Sequence, residues 1–186
     1  MNHLRLDTGL VIDIEATCWE KDSSEQGEPE IIEIGVVSVN FPERKLVSKE
    51  SILIRPRFSK VSTFCTKLTG LTQEMVDGGV SLEEGCQILR EKYLSMDRLW
   101  MSWGRYDFKI FAKWCEKLDI EYPFSPEYIN LKMLFAILMG LKKPVGLLRA
   151  LDMLGISFEG SHHRGSDDAW NTGKILVTLL SMYHEI

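Results

Sequence analysis

The chain has 186 residues, of which 45% are hydrophobic and 26% are charged, with a net charge of −5 at pH 7. This length fits one domain with a single core, and we expect residues 1–186 to form that domain. The negative charge argues against tight, sequence-independent binding along duplex DNA. It does not argue against a protein that grips only the end of a strand through metal ions.

The sequence has no pattern typical of a membrane span, a signal peptide or a cysteine zinc site. No apolar run is long enough to span a bilayer, and the first residues, Met1 to Asp7, do not have the pattern of a signal peptide. The four cysteines are scattered and form no CxxC pair, which argues against zinc and favours reduced thiols. We therefore expect a cytoplasmic protein that does not bind membranes.

The first half of the chain has the pattern of β-strands. Apolar and β-branched residues dominate residues 10–16, 31–39 and 52–54, and the turn-forming run Asn40–Glu43 separates the last two. We expect an antiparallel meander of three strands, with a polar, mobile loop from Glu20 to Pro29.

Helical signals dominate the second half. Ser81 to Glu84 resembles a capping box, Asn130 is a predicted N-cap, and Pro144 is predicted to open a helix that Gly155 ends. A short apolar strand covers residues 99–103. Helical stripes of apolar residues are formed by Leu82, Cys86, Leu89 and Tyr93, and by Ala169, Thr172, Leu176, Leu179 and Tyr183. This order of elements predicts an α/β fold with a mixed central β-sheet flanked by α-helices.

Two acidic residues lie inside the apolar run of the first predicted strand. Asp13 and Glu15 are two positions apart, so their side chains project from the same face of the strand. Burying two like charges side by side is costly unless a cation neutralises them. The pair therefore predicts a metal cradle.

Two further carboxylates occur where side chains reach the end of a sheet. Asp107 follows the strand over residues 99–103, and Asp168 falls in the first turn of the last helix. Four carboxylates can hold two divalent cations about 4 Å apart, which clamp a phosphodiester during in-line displacement. Hard oxygen ligands indicate Mg²⁺ or Mn²⁺. His163 is placed to take a proton from the attacking water.

These residues resemble the motifs of a known family, the DEDDh 3′–5′ exonucleases of the ribonuclease H-like superfamily. The Asp-x-Glu motif matches Asp13 and Glu15, the second motif matches Asp107, and the His-x4-Asp motif matches His163 and Asp168. The similarity is strongest to the Eri-1-like branch, which trims RNA 3′ ends. The runs that carry it are residues 13–18, 68–72, 102–104 and 165–168.

The resemblance implies a ribonuclease H-like fold and an exonuclease that releases nucleoside 5′-monophosphates from RNA. It implies two Mg²⁺ ions, for which Mn²⁺ can substitute, and makes nucleic-acid 3′ ends the expected partner. By the motif matches, the four acidic residues Asp13, Glu15, Asp107 and Asp168 are catalytic metal ligands and His163 is the general base. Candidate nucleotide-binding residues are Ala16, Thr17 and Trp103. Relatives often carry an additional RNA-binding domain; we expect none in these 186 residues, which leave no room for it.

Several alternatives remain at this stage. His162 has the same spacing to Asp167 as His163 has to Asp168. Trp19 and Phe64 are weaker candidates for stacking on a base. Two basic clusters either contact phosphates or are ordinary solvated surface: Arg105, Lys109 and Lys113, and Arg55, Arg57 and Lys60. The chain could instead act on DNA or short oligonucleotides, or be a catalytically idle binding module.

Overall fold

The computed structural model describes residues 4–21 and 27–182. Within these ranges, one sheet of five strands is flanked by seven helices. The strands are β1 (Arg5–Ala16), β2 (Ile31–Asn40), β3 (Lys45–Leu53), β4 (Arg98–Ser102) and β5 (Tyr128–Asn130). The helices are α1 (Thr63–Thr69), α2 (Gln73–Asp77), α3 (Leu82–Tyr93), α4 (Tyr106–Leu118), α5 (Leu131–Leu138), α6 (Leu147–Met153) and α7 (Gly165–Met182).

The sheet is mixed, as predicted. Its order is β3-β2-β1-β4-β5, with antiparallel pairing within the β1–β3 meander and parallel pairing of β4 to β1 and of β5 to β4. Glu15 pairs with Glu33, and Glu33 pairs with Leu53. These pairs place the end of β1 beside the start of β2 and the end of β3, all at the same end of the sheet.

Each face of the sheet is covered by helices. On one face, alternate β1 residues such as Ile12 and Ile14 pack with α3 and α4. On the other face, Val11 packs with α5 and α7. The predicted stripe of α3 is buried, and Ser81 forms the predicted capping box with Glu84. The predicted stripe of α7 is buried over its four described members, whereas Tyr183 lies outside the described residues.

Some predicted elements differ from the structure. Pro144 does not open α6, which begins at Leu147 because Gly146 is still extended, with φ −69° and ψ 163°. The short elements α1, α2 and β5 were not predicted. Of the predicted Glu20–Pro29 loop, residues 22–26 lie outside the described residues. No helix among the described residues is long and apolar enough to cross a membrane.

The start of α7 lies directly against the main chain of β2. A methyl group added at Gly35 would overlap the main chain of Gly165 and Ser166, and one added at Gly165 would crowd the carbonyl oxygen of Asp13. Two facing glycines therefore permit the contact that brings the first turn of α7 onto the acidic strand.

We predict that Gly35→Ala destabilises the fold by about 3 kcal/mol, because neither backbone can move without disturbing the sheet or α7. Denaturant unfolding followed by circular dichroism measures this change. Gly78→Ala is the matched control, since its methyl group would meet only ordinary contacts at φ −78°, and it should change stability by less than about 1 kcal/mol. Equal effects of the two substitutions would contradict the prediction.

Candidate active site

An open cleft of about 300 Å³ lies where β1 ends, beside the first turns of α4 and α7. We call it the acidic cleft; its lining residues are Asp13, Ile14, Glu15, Trp103, Tyr106, Asp107, Leu147, His162, His163 and Asp168. Six of the eight predicted site residues thus meet in one place. The other two, Ala16 and Thr17, are not among the residues that line it.

Three carboxylates converge at the centre of the acidic cleft. Asp13, Glu15 and Asp168 each offer an oxygen atom, and these atoms lie within 4.8 Å of one another. Asp107 faces the same cleft, where its Oδ1 accepts a hydrogen bond of 3.0 Å from the Ile14 amide. That bond ties the start of α4 to the acidic strand.

Burial raises the pKa values of this cluster, and repulsion between carboxylates adds to the effect at Asp13 and Glu15. Loss of contact with water, then the charges of Asp168, Glu33 and Asp107, raise the pKa of Glu15 to about 8. The pKa of Asp13 is raised well above its ordinary value, first by burial and then by the neighbouring carboxylates. Burial is also the main cause of the raised pKa of Asp107 and of Asp168. This electrostatic environment favours a cation in the cleft.

Both candidate histidines contact Asp168. His162 Nδ1 lies 2.9 Å from Oδ1 of Asp168, and the His163 amide donates to Oδ2 at 3.1 Å. The two imidazoles stack with centroids 4.0 Å apart. The alternative pairing of His162 with Asp167 is not formed, because Asp167 bonds Lys49 and the Ser161 amide. Burial and the neighbouring His162 lower the pKa of His163, which keeps its imidazole neutral and able to accept a proton.

A buried ion pair holds the loop that carries these histidines. The side chain of Glu33 is fully buried, and its two oxygens accept bonds of 3.2 Å from Nε and an Nη of Arg164. The same carboxylate accepts from the Gly165 amide at 2.9 Å and from the Ser51 hydroxyl. His163, next to Arg164, has a left-handed backbone with φ 65°, a strained conformation for a non-glycine residue. The ion pair therefore fixes a strained residue at the cleft.

The remaining predicted nucleotide contacts have different environments. Thr17 is fully buried, and its hydroxyl bonds the Ser59 hydroxyl and the Glu30 amide. Trp103 lines the acidic cleft and packs on Phe135. Sequence reasoning missed Tyr106, an exposed cleft residue whose position beside Asp107 could have indicated it. It also missed Leu147 and the Glu33–Arg164 pair, for which the sequence carries no local signal.

The raised pKa values predict that the protein loses stability with rising pH when no divalent cation is present. Between 4.5, the ordinary pKa of glutamate, and about 8, folded Glu15 keeps a proton that the unfolded chain has released, so the free energy of unfolding falls across this window. In EDTA, from about pH 6 to about pH 8, we expect wild type to lose about 2 kcal/mol more than Glu15→Gln. Urea titrations measure the difference.

Titrations in Mg²⁺ provide the control for this prediction. A bound divalent cation favours the charged carboxylates, so Mg²⁺ should reduce the pH dependence that separates wild type from Glu15→Gln. A difference between the two proteins that does not change with pH in EDTA would contradict the prediction.

Comparisons with known proteins place this site in a family. The RNase T exonuclease family matches residues 10–176. The chain is 32% identical over 168 residues to the probable 3′–5′ exonuclease KapD of Bacillus subtilis, covering 89% of this chain and 81% of KapD. It is 30% identical over 193 residues to the 3′–5′ exonuclease Snipper of Drosophila melanogaster, covering 92% of this chain and 68% of Snipper.

A solved structure shows the same fold. The nuclease domain of 3′hExo, described as a DEDDh family member bound to rAMP, superposes with a TM-score of 0.83 at 29% identity, covering 97% of this chain and 94% of that one. The predicted ribonuclease H-like fold is therefore confirmed. The chain belongs to the RNase T exonuclease family and is a DEDDh 3′–5′ exonuclease.

Proposed function

We propose that this exonuclease trims single-stranded RNA from its 3′ end and releases nucleoside 5′-monophosphates. The observation that carries the proposal is the convergence of Asp13, Glu15 and Asp168, with Asp107 and both histidines, in one open cleft. A complete acidic set beside an imidazole supports an active enzyme over an idle binding module. The similarity to a nuclease domain bound to rAMP supports a ribonucleotide substrate.

Members of the DEDDh family normally use divalent metal ions, and the residues of the acidic cleft suit them. The donors are carboxylate oxygens, which are the hard ligands that Mg²⁺ and Mn²⁺ prefer. The four carboxylates would hold two Mg²⁺ ions. When bound, the ions supply Lewis acidity to the scissile phosphate and the attacking water. Arg164, which bonds Glu33 behind the cleft, lowers the pKa of Glu15 but does not offset the larger effects that raise it.

Proton transfer in this proposal depends on His163. Its lowered pKa keeps the imidazole neutral at neutral pH, so it can accept the proton that the attacking water loses. Its place at the cleft is set by the Asp168 contact of its amide and by the anchored Arg164 that follows it. His162 binds Asp168 through its side chain and orients that carboxylate.

The biological setting is also part of the proposal. We propose that residues 1–186 form a single exonuclease domain that acts in the cytoplasm on nucleic-acid 3′ ends. All four cysteines are free, which supports a reducing compartment.

The central prediction is metal-dependent shortening of RNA. We expect 5′-labelled RNA incubated with the protein and Mg²⁺ to yield a ladder shortened from the 3′ end, resolved on denaturing gels. EDTA should abolish the ladder. Asp13→Asn, which keeps the shape of the side chain but removes its charge, should slow trimming at least about 100-fold, because metal-held charge stabilisation amounts to several kcal/mol.

Matched substrates decide the substrate class. An RNA with a single 2′-deoxy substitution at its 3′ nucleotide should be trimmed at least about threefold more slowly if a 2′-hydroxyl contact contributes. Equal rates on RNA and DNA would contradict the RNA preference but not the exonuclease chemistry. RNA binding without any shortening in Mg²⁺ or Mn²⁺ would show an idle module.

The two histidines can be separated by single substitutions. His163→Ala should lower kcat by about 100-fold or more, the usual contribution of general base catalysis, and should leave the stabilisation by Mg²⁺ in place. His162→Ala should have a smaller effect on kcat, because His162 contacts Asp168 and stacks on His163 but does not itself accept the proton in this proposal. Single-turnover trimming rates measure both. A larger loss in His162→Ala would assign the general base to His162.

A further inference from the structure

A second groove lies beyond the acidic cleft and is used by none of the chemistry above. We call it the Phe58 groove; it has a volume of about 520 Å³, and its walls include Trp19, Phe58, Lys60, Ser62, Trp114 and Lys117. This volume falls within the usual range of ligand-binding cavities. Phe58 is 62% exposed, which is unusual for a phenylalanine held in a defined contact.

The exposed Phe58 ring is held by aromatic and cationic neighbours. It stacks on Trp114 with centroids 6.0 Å apart and planes inclined by 19°. The ammonium of Lys117 lies 4.5 Å from the Trp114 ring centroid and 5.3 Å from that of Phe58, and the guanidinium of Arg57 lies 5.4 Å from Phe58. Trp114 is itself buried and donates to the Pro29 carbonyl at 2.7 Å. The groove thus presents a positioned aromatic ring surrounded by positive charge.

Glu30 holds the loop that carries this ring. Its carboxylate accepts hydrogen bonds from the amides of Arg57, Phe58 and Ser59 at 2.7, 2.8 and 2.5 Å, and from the Ser59 hydroxyl at 2.7 Å. Three consecutive amides bound to one buried carboxylate leave the loop little freedom. The Phe58 ring is therefore presented by a rigid wall.

The charge of the groove is opposite to that of the chain as a whole. Lys60 and Lys117 line it and Arg57 lies against the Phe58 ring, while the acidic side chain in its lining, Glu28, pairs with Lys117 and with the neighbouring Lys113. The chain carries a net charge of −5, so this local positive surface is not explained by its composition. Cations beside an exposed aromatic ring match a polyanion whose bases can stack.

The wall of the groove is bonded to the catalytic strand. Ser59 contacts the hydroxyl of Thr17, two residues after Glu15, at 2.9 Å, and the Ser62 hydroxyl donates to the Cys18 carbonyl at 2.6 Å. The groove wall is therefore bonded to residues that directly follow Glu15, and Glu15 and Leu53 lie at the same end of the sheet.

We propose that the Phe58 groove binds upstream nucleotides of the single-stranded substrate, with a base stacked on Phe58 and phosphates beside Lys60 and Lys117. This inference rests on the proposed function for its substrate. It predicts that long RNAs are processed more efficiently than the shortest ones because only long strands reach the groove.

The test compares kcat/KM for a 12-nucleotide RNA with that for a dinucleotide. The ratio of the two should fall at least about fivefold in Phe58→Leu, which keeps the apolar contact with Trp114 but loses the aromatic face, and also in Lys60→Ala. Lys60→Ala should also reduce the salt dependence of 12-nucleotide binding by roughly 0.7 in the logarithmic slope, the value for one phosphate of a single strand. Exposed residues elsewhere supply the matched controls Ile137→Ala and Lys45→Ala, which should keep the wild-type ratio.

The outcomes separate this inference from the proposed function. If wild type trims no RNA, the proposed function fails, and fluorescence anisotropy with the 12-nucleotide RNA in EDTA then tests the groove: unchanged affinity in Phe58→Leu and Lys60→Ala overturns it, and at least fivefold weaker binding supports it. If wild type trims and both variants keep its length ratio within twofold, the groove is not a substrate site. The proposal would then be wrong, and a protein partner would be the alternative occupant of the groove.

Discussion

The position of the His-x4-Asp motif, which runs from His163 to Asp168, depends on one buried ion pair between Glu33 in β2 and Arg164 just before α7. An apolar pair of similar size could be as stable at this place, because desolvation offsets most of the attraction between buried charges. A guanidinium that bonds both oxygens of a carboxylate has a defined direction, however, which apolar packing lacks. The left-handed His163 and the first turn of α7 are therefore held in register with β1 and β2.

Neighbouring ion pairs also determine which charges face the cleft. Asp167 and Asp168 are adjacent, yet Lys49 of β3 pairs with Asp167 and separates it from the cluster. Asp168 turns to the opposite side and meets Asp13 and Glu15. The cleft thus collects a limited set of carboxylates whose repulsion the protein compensates only in part. Stability without a cation is lower as a result, and the site is arranged in advance for one.

Much of the fold could be predicted from local patterns, and the contacts that position the site could not. Side chains alternate between the two faces of a strand, which indicated that Asp13 and Glu15 share a face. The predicted N-caps Ser81 and Asn130 indicated where α3 and α5 begin. Pro144 was misleading, because proline also occurs in the turns and loops that precede a helix. The residues that bond Glu33 and Glu30 are distant in sequence or lie in segments without regular secondary structure. No periodic pattern in the sequence predicts such contacts. The choice between His162 and His163 likewise depends on a left-handed turn that spacing does not reveal.

Three successive amides that point to one spot form the kind of concave site that holds phosphate groups in many proteins. In this chain the amides of residues 57–59 are already occupied by Glu30. If nucleic acid passes this loop as proposed, it would meet lysine and arginine side chains and the Phe58 ring, whereas the amides of residues 57–59 would not be available to a phosphate. Such contacts carry no strict register along the strand. An enzyme that shortens its substrate by one unit at a time needs that property, because the strand must advance after each cut without being trapped at one step.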